Sequence, residues 1–179
     1  LRDDLLQRFR EALPFPLTHA QDRVMDELIA DLAQAVPMLR LLQGDVGSGK
    51  TVIAAAAALI AAGSDAQTAL MAPTELLAEQ HARTLAPWLE PLGLSTALIT
   101  GRQRAAQRRQ QQEQVASGAA TLVIGTHALF QGDVDFQDLA LVIIDEQHRF
   151  GVHQRLALRA KGVQSGQVPH QLVMTATPI

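Results

Sequence analysis

The stretch Leu39-Arg40-Leu41-Leu42-Gln43-Gly44-Asp45-Val46-Gly47-Ser48-Gly49-Lys50-Thr51-Val52-Ile53 runs from a short apolar segment, through a glycine-rich turn, into a long segment of small apolar residues. A brief apolar run ended by a turn signal reads as a buried strand, and the longer segment at 50–62 reads as a helix. The turn carries Gly44, four residues, Gly49, Lys50 and Thr51. Each part has a chemical reason. Small residues let the backbone curl tightly and aim successive N–H groups at phosphate oxygens. The helix that follows adds the positive end of its dipole. Lys50 then neutralises outer phosphates as a point charge, and the Thr51 hydroxyl suits Mg²⁺. Gly44, Asp45, Val46, Gly47, Ser48, Gly49, Lys50 and Thr51 are therefore the candidate phosphate loop.

Working outward, the same alternation recurs. Apolar runs at 67–72, 95–99, 121–125, 139–144 and 171–175 read as further strands. Helical segments at 74–89 and 103–114 and a short one after the fourth strand separate them. Strands alternating with helices predict an α/β fold with a mostly parallel central sheet covered on both faces. Leu141-Val142-Ile143-Ile144 and Leu122-Val123-Ile124 suit strands buried on both sides. The helix at 52–62 is apolar nearly all round and should pack under other elements. Upstream, a helix is expected over 18–36, with Thr18 and Gln21 at capping-box spacing and Pro37 marking its end.

The strand Leu141-Val142-Ile143-Ile144 runs into Asp145-Glu146-Gln147-His148. Two acids after a buried strand are costly unless they meet a cation or hydrogen-bond donors. Strand C-terminal ends form the ligand crevice of a parallel open sheet. Asp145 can there face the Mg²⁺ held by Thr51, through water, and Glu146 can orient or deprotonate an attacking water. The catalytic candidates are Lys50, Asp145 and Glu146.

Composition sets limits on partners. The 179 residues are 47% hydrophobic and 18% charged, a globular balance in a one-domain length. The longest apolar run, 52–62, falls short of the roughly 18 residues a membrane helix needs, so no membrane partner is expected. A net charge of −3 and a pI of 6.1 exclude a globally basic nucleic-acid binder but leave room for a local basic face. Lys50 and Lys161 are the lysines among fifteen basic residues. Without cysteine there is no disulfide framework or thiolate zinc site, and the six histidines lack zinc-ligand spacing. A cytoplasmic location is expected. The chain starts at Leu1 and stops after Thr177-Pro178-Ile179, which reads as a piece of something longer.

Taken together, the motifs resemble the first RecA-like lobe of superfamily 2 helicases and translocases. Asp145-Glu146-Gln147-His148 resembles the DExH-type box, and Ala72-Pro73-Thr74-Glu75-Leu76 the motif that touches a nucleic-acid backbone. Thr100-Gly101, Gly125-Thr126-His127 and Thr175-Ala176-Thr177-Pro178 resemble the later motifs in their order, and Leu17-Thr18-His19-Ala20-Gln21 resembles a Q-motif. Within the superfamily the wording is similar to the bacterial branch-migration helicases, in Leu13-Pro14-Phe15, Thr126-His127-Ala128-Leu129-Phe130-Gln131 and Gln147-His148-Arg149-Phe150-Gly151. Transcription-repair coupling translocases share part of it but usually carry Glu where this chain has Gln147. A non-motor P-loop nucleotide-binding domain is the third reading.

The resemblance implies a three-layer RecA-like P-loop NTPase domain spanning residues 1–179 that binds ATP and Mg²⁺. It also implies a second RecA-like lobe and a wedge domain in the parent chain, with double-stranded or branched DNA as substrate. Stalled forks and Holliday junctions are the structures such enzymes remodel. A transition-state arginine, worth roughly 10³–10⁵ in rate, comes from the second lobe in this family, so an isolated first lobe should be nearly inactive. Gln21 would read the adenine edge, which an amide matches, or cap its helix with Thr18; the two roles are compatible. Phe15 would pack on the base or in the core. Thr74, Gly101, Thr126 and His127 would contact DNA, Thr74 also as a helix N-cap. Arg102, Arg104, Arg108 and Arg109 read as solvated helix charge or a duplex-facing patch. His148, Thr175 and Thr177 would couple the nucleotide and DNA sites.

Overall fold

In the computed structural model, residues 2–44, 49–130, 133–145 and 168–175 are described. Among them, β1 (Leu39–Gln43), β2 (Gln67–Met71), β3 (Thr96–Ile99), β4 (Leu122–Gly125), β5 (Leu139–Asp145) and β6 (His170–Thr175) form one sheet in the order β1-β6-β5-β2-β4-β3. Every pairing is parallel. The expected mostly parallel sheet is thus parallel throughout the described strands, and all six strands end at one edge.

Helices α1 (Arg2–Ala12), α2 (His19–Leu32), α3 (Lys50–Ala62) and α4 (Glu75–Leu89) pack around Leu70, Leu122, Ile124, Leu141, Ile143 and Leu172 of one sheet face. The opposite face, with Met71, Ile99, Val123, Val142 and Ile144, is covered by Val115 of α5 (Ala105–Ala116) and by the 3-10 turn His127–Phe130 through Ala128 and Leu129. α3 is buried along its length from Val52 to Ala61. Its run of alanines is small enough for α1, α2, α4 and the sheet to approach it together.

Capping explains several boundaries. The Thr18 hydroxyl accepts the Gln21 amide at 3.1 Å and Gln21 Oε1 accepts the Thr18 amide at 2.9 Å, closing the capping box before α2. Thr74 caps α4 by accepting the Leu77 amide at 3.2 Å.

α2 ends at Leu32, not at the expected residue 36. Gln34, Ala35 and Val36 are exposed and give the helix no apolar stripe to bury. Val36 also precedes proline, which disfavours helical backbone there.

At the edge away from the strand ends, buried Gln67 donates from Nε2 to the Val115 and Ala120 carbonyls, both at 2.9 Å, and its Oε1 accepts the Asp138 amide at 3.0 Å. One amide therefore ties three connections together. The Met38 amide donates to His170 Nδ1 at 2.8 Å, and the Met38 carbonyl accepts the Gln171 amide at 2.7 Å. These bonds clamp the start of β1 to β6. No helix among the described residues is long and apolar enough to cross a membrane.

Candidate nucleotide site and nucleic-acid edge

Parallel pairing puts the ends of β1, β6 and β5 side by side, so Gly44, Thr175 and Asp145 occupy neighbouring strand ends. The Gly44 amide donates to the Thr175 carbonyl at 3.1 Å. The end of β6 is thus bonded directly to the first residue of the candidate phosphate loop. Asp45, Val46, Gly47 and Ser48 lie outside the described residues, as do Glu146, His148 and Thr177.

On the far side of the loop, Gly49 is the N-cap residue of α3 with φ 87°, in the left-handed region that favours glycine. A Cβ there would also meet Gln21 Nε2 at 2.0 Å, so the missing side chain is what admits the Gln21 amide. Lys50 Nζ donates to the Gly44 carbonyl at 2.8 Å, spanning the loop from end to end. Thr51 follows in the first turn of α3. Thr18, Gln21, Gly44, Gly49 and Lys50, with Val24, Leu42 and Ile53, line an open cleft of about 220 Å³. The larger cavity, of about 670 Å³, lies among Leu32, Pro37, Ile60, Asp138 and His170, away from these strand ends.

Gln21 closes the capping box and also lines the cleft. Phe15 does not line that cleft. Its ring sits edge-to-face with Trp88 near the end of α4, centroids 6.2 Å apart.

Asp145 is the last residue of β5 and lies on the α3–α4 side of the sheet, in alternation with Leu141 and Ile143. His81 Nε2 of α4 is 2.5 Å from Asp145 Oδ2. Sequence reasoning did not single out His81 as a site residue, although a polar residue on the inward stripe of a helix was a visible signal.

The other three strand ends form a separate half of the same edge. Thr74 follows β2, Thr126 and His127 follow β4, and Gly101 follows β3. Glu75 Oε1 accepts the Gly101 amide at 3.0 Å, and Arg102 Nε lies 2.8 Å from Glu75 Oε2 as an ion-pair contact without a directed hydrogen bond. Thr126 is 2% exposed, with its hydroxyl accepting the Ala128 amide at 3.4 Å, whereas His127 is exposed. Of the nearby arginines, Arg108 is held inward by the Thr100 carbonyl at 3.2 Å and by Asp133 at 3.6 Å. Arg102, Arg104 and Arg109 are exposed.

The glycine-rich loop and the acid-tipped strand thus lie one strand apart on one half of the edge, with Thr74, Thr126 and Gly101 on the other half. Residues 18–179 match the DEAD/DEAH box helicase family. The chain belongs to that family.

Among DEAD/DEAH box helicases, the chain is 57% identical over 176 residues to the ATP-dependent DNA helicase RecG of Haemophilus influenzae, covering 98% of this chain and 25% of that protein. It is 59% identical over 177 residues to RecG of Escherichia coli K12, covering 99% and 26% respectively. Among solved structures it is similar to RecG bound to a three-way DNA junction, with TM-score 0.85, 42% identity, and 99% of this chain against 23% of that one. The helicase MrfA shares the fold at TM-score 0.73 and 19% identity. The chain spans about a quarter of the length of the RecG relatives it matches. The RecA-like α/β architecture is common to this helicase family and to the observed sheet.

Proposed function

We propose that this chain is the ATP-binding motor lobe of a RecG-like double-stranded DNA translocase that remodels stalled replication forks and Holliday junctions. The observation that carries the reading is the divided sheet edge: Gly44, Thr175 and Asp145 on three adjacent strand ends, Thr74, Thr126 and Gly101 on the other three. A machine that converts hydrolysis into movement along DNA needs both sites on one rigid layer. The similarity to RecG over nearly the whole chain supports the same reading.

In this proposal the loop Gly44 to Thr51 cradles the ATP phosphates. Lys50 exchanges its bond to the Gly44 carbonyl for the outer phosphates. The donor set fits Mg²⁺: a threonine hydroxyl and a carboxylate are hard oxygen ligands, and Mg²⁺ usually keeps several waters and takes substrate phosphates. Thr51 and Asp145, the latter through water, would hold the ion, whose charge would stabilise the transferred phosphoryl group. Glu146 orients the attacking water. Gln21 reads the adenine edge from the cleft it already lines, and Phe15 stays with Trp88 or turns to the base. Thr74, Gly101, Thr126 and His127 receive the DNA backbone, with His127 the exposed side chain of its pair. His148, Thr175 and Thr177 carry the coupling, Thr175 through its bond to Gly44.

The same reading gives the parent chain a second RecA-like lobe, which supplies the transition-state arginine, and a wedge domain that selects branched DNA. It makes the working environment the bacterial cytoplasm, where that DNA lies.

The test is ATP-dependent unwinding of a three-way junction by the intact parent chain. Unwinding that disappears in Lys50→Ala supports the proposal. Motor activity that requires a stalled RNA polymerase and ignores bare junctions would assign the lobe to transcription-coupled repair instead.

A further inference from the structure

The inward stripe of α4 consists of Ala78, Ala82, Leu85 and Leu89. His81 falls on that stripe, where an apolar residue would pack more cheaply. Its Nε2 lies 2.5 Å from Asp145 Oδ2, across 64 residues of sequence, and the two side chains are only 14% and 19% exposed. An ionised carboxylate can only accept, so His81 Nε2 donates. Among the described residues, no lysine or arginine is paired with Asp145.

We propose that His81 is a positioning residue for Asp145, holding the carboxylate in the orientation that receives hydrated Mg²⁺. The proposal rests on the Mg²⁺–ATP reading above. A carboxylate on the last residue of a strand can swing about its side-chain torsions. A hydrogen bond to one of its oxygens selects an orientation before the ion arrives. An imidazole can do this as a neutral donor and leave the carboxylate charge for the cation, which a guanidinium paired to it would offset. Outer partners of this kind orient metal-binding groups, and losing one typically costs roughly 10–100-fold in metal affinity. The placement also accounts for a histidine on an otherwise apolar stripe: α4 passes close enough to β5 for this side chain to reach the strand end.

The experiment uses the intact parent chain and fluorescently labelled ADP. Nucleotide binding is titrated with Mg²⁺ and with Mn²⁺, bound Mn²⁺ is counted by electron paramagnetic resonance, and the metal-free affinity is taken in EDTA. His81→Ala should raise the half-saturating metal concentration roughly 10–100-fold while leaving the affinity in EDTA unchanged. His81→Gln, which keeps an N–H donor at the ε position on a more flexible arm, should recover part of the loss. It also provides the reading if His81→Ala folds poorly. Wild-type metal dependence in both variants would overturn the role of His81, as would an equal loss of nucleotide affinity with and without metal. Asp145→Asn separates the two levels of the argument. A raised metal requirement in Asp145→Asn beside a normal His81→Ala overturns only the positioning role. Metal-independent binding by the wild type overturns the Mg²⁺ reading and the positioning role with it.

Discussion

Glu75 reaches from the first turn of α4 to the backbone of Gly101, 26 residues away, and accepts its amide at 3.0 Å. Because β4 lies between β2 and β3, this bond crosses the end of an intervening strand. It fixes the spacing between two of the residues assigned to the DNA backbone, Thr74 and Gly101. Glu75→Ala should lower stability by about 1 kcal/mol, the usual net worth of one such bond. Urea denaturation reads the loss, and hydrogen exchange should show faster exchange at the Gly101 amide. Glu75→Gln keeps an acceptor oxygen and should retain most of the protection. The Arg102 partner adds little, since its side chain is 87% exposed.

Gly125 closes β4 where the sheet has no room for a side chain. A Cβ there would lie 2.4 Å from the Ile99 carbonyl oxygen and 2.9 Å from Leu129. A backbone oxygen cannot step aside as the end of a flexible side chain can. Gly125→Ala should therefore destabilise the chain by roughly 1–3 kcal/mol, the range for overpacking, and lower the melting temperature by several degrees. An unchanged melting temperature would mean that β3 and β4 part more easily than their register suggests.

Gly49 combines two constraints, and a pair of variants separates them. Gly49→Ala forces a left-handed alanine, costing about 1 kcal/mol or more, and pushes a methyl group into Gln21. The Gln21→Ala background should remove the collision but leave the backbone cost. Gly49→Ala is thus expected to be less damaging in Gln21→Ala than in the wild type, in both melting temperature and nucleotide affinity. Equal damage in the two backgrounds would show that the Gln21 side chain moves away freely.

Burial lowers the pKa of His170 from its ordinary 6.5, with the charge of Asp31 partly opposing the shift. The neutral ring accepts the Met38 amide through Nδ1, and a protonated ring could not. The unfolded chain therefore binds this proton more readily than the folded one. Stability from His170 is present above about pH 6.5 and is lost as the pH falls through that value towards the lower folded pKa. Denaturation midpoints taken across that interval should fall with pH for the wild type and fall less for His170→Gln.

Much of this architecture was legible in the sequence because its signals are local. The strands lie within one residue of the apolar runs at either end, and α3 spans Lys50–Ala62 as its composition indicates. Glycines, prolines and capping threonines punctuate those segments at short range. The strand order was not legible, since it depends on which runs pair across the chain. For the same reason the bonds from Gly44 to Thr175, Glu75 to Gly101 and His81 to Asp145 are visible only in the fold. One local boundary also gave way to packing. α2 stops at Leu32, where its apolar stripe ends, ahead of the proline that marked the expected boundary. Thr126 turns inward to cap the 3-10 turn while His127 takes the exposed position. Phe15, readable as a base-stacking ring, is held by Trp88, a contact that required knowing where α4 ends.

On the proposed function, nucleotide hydrolysis is coupled to movement on DNA. The most direct measurement is steady-state ATP hydrolysis by the intact parent chain, with and without branched DNA, in wild type and Lys50→Ala. Coupled hydrolysis should rise strongly with branched DNA and be lost in Lys50→Ala. Hydrolysis indifferent to DNA, or surviving the loss of Lys50, would contradict that coupling.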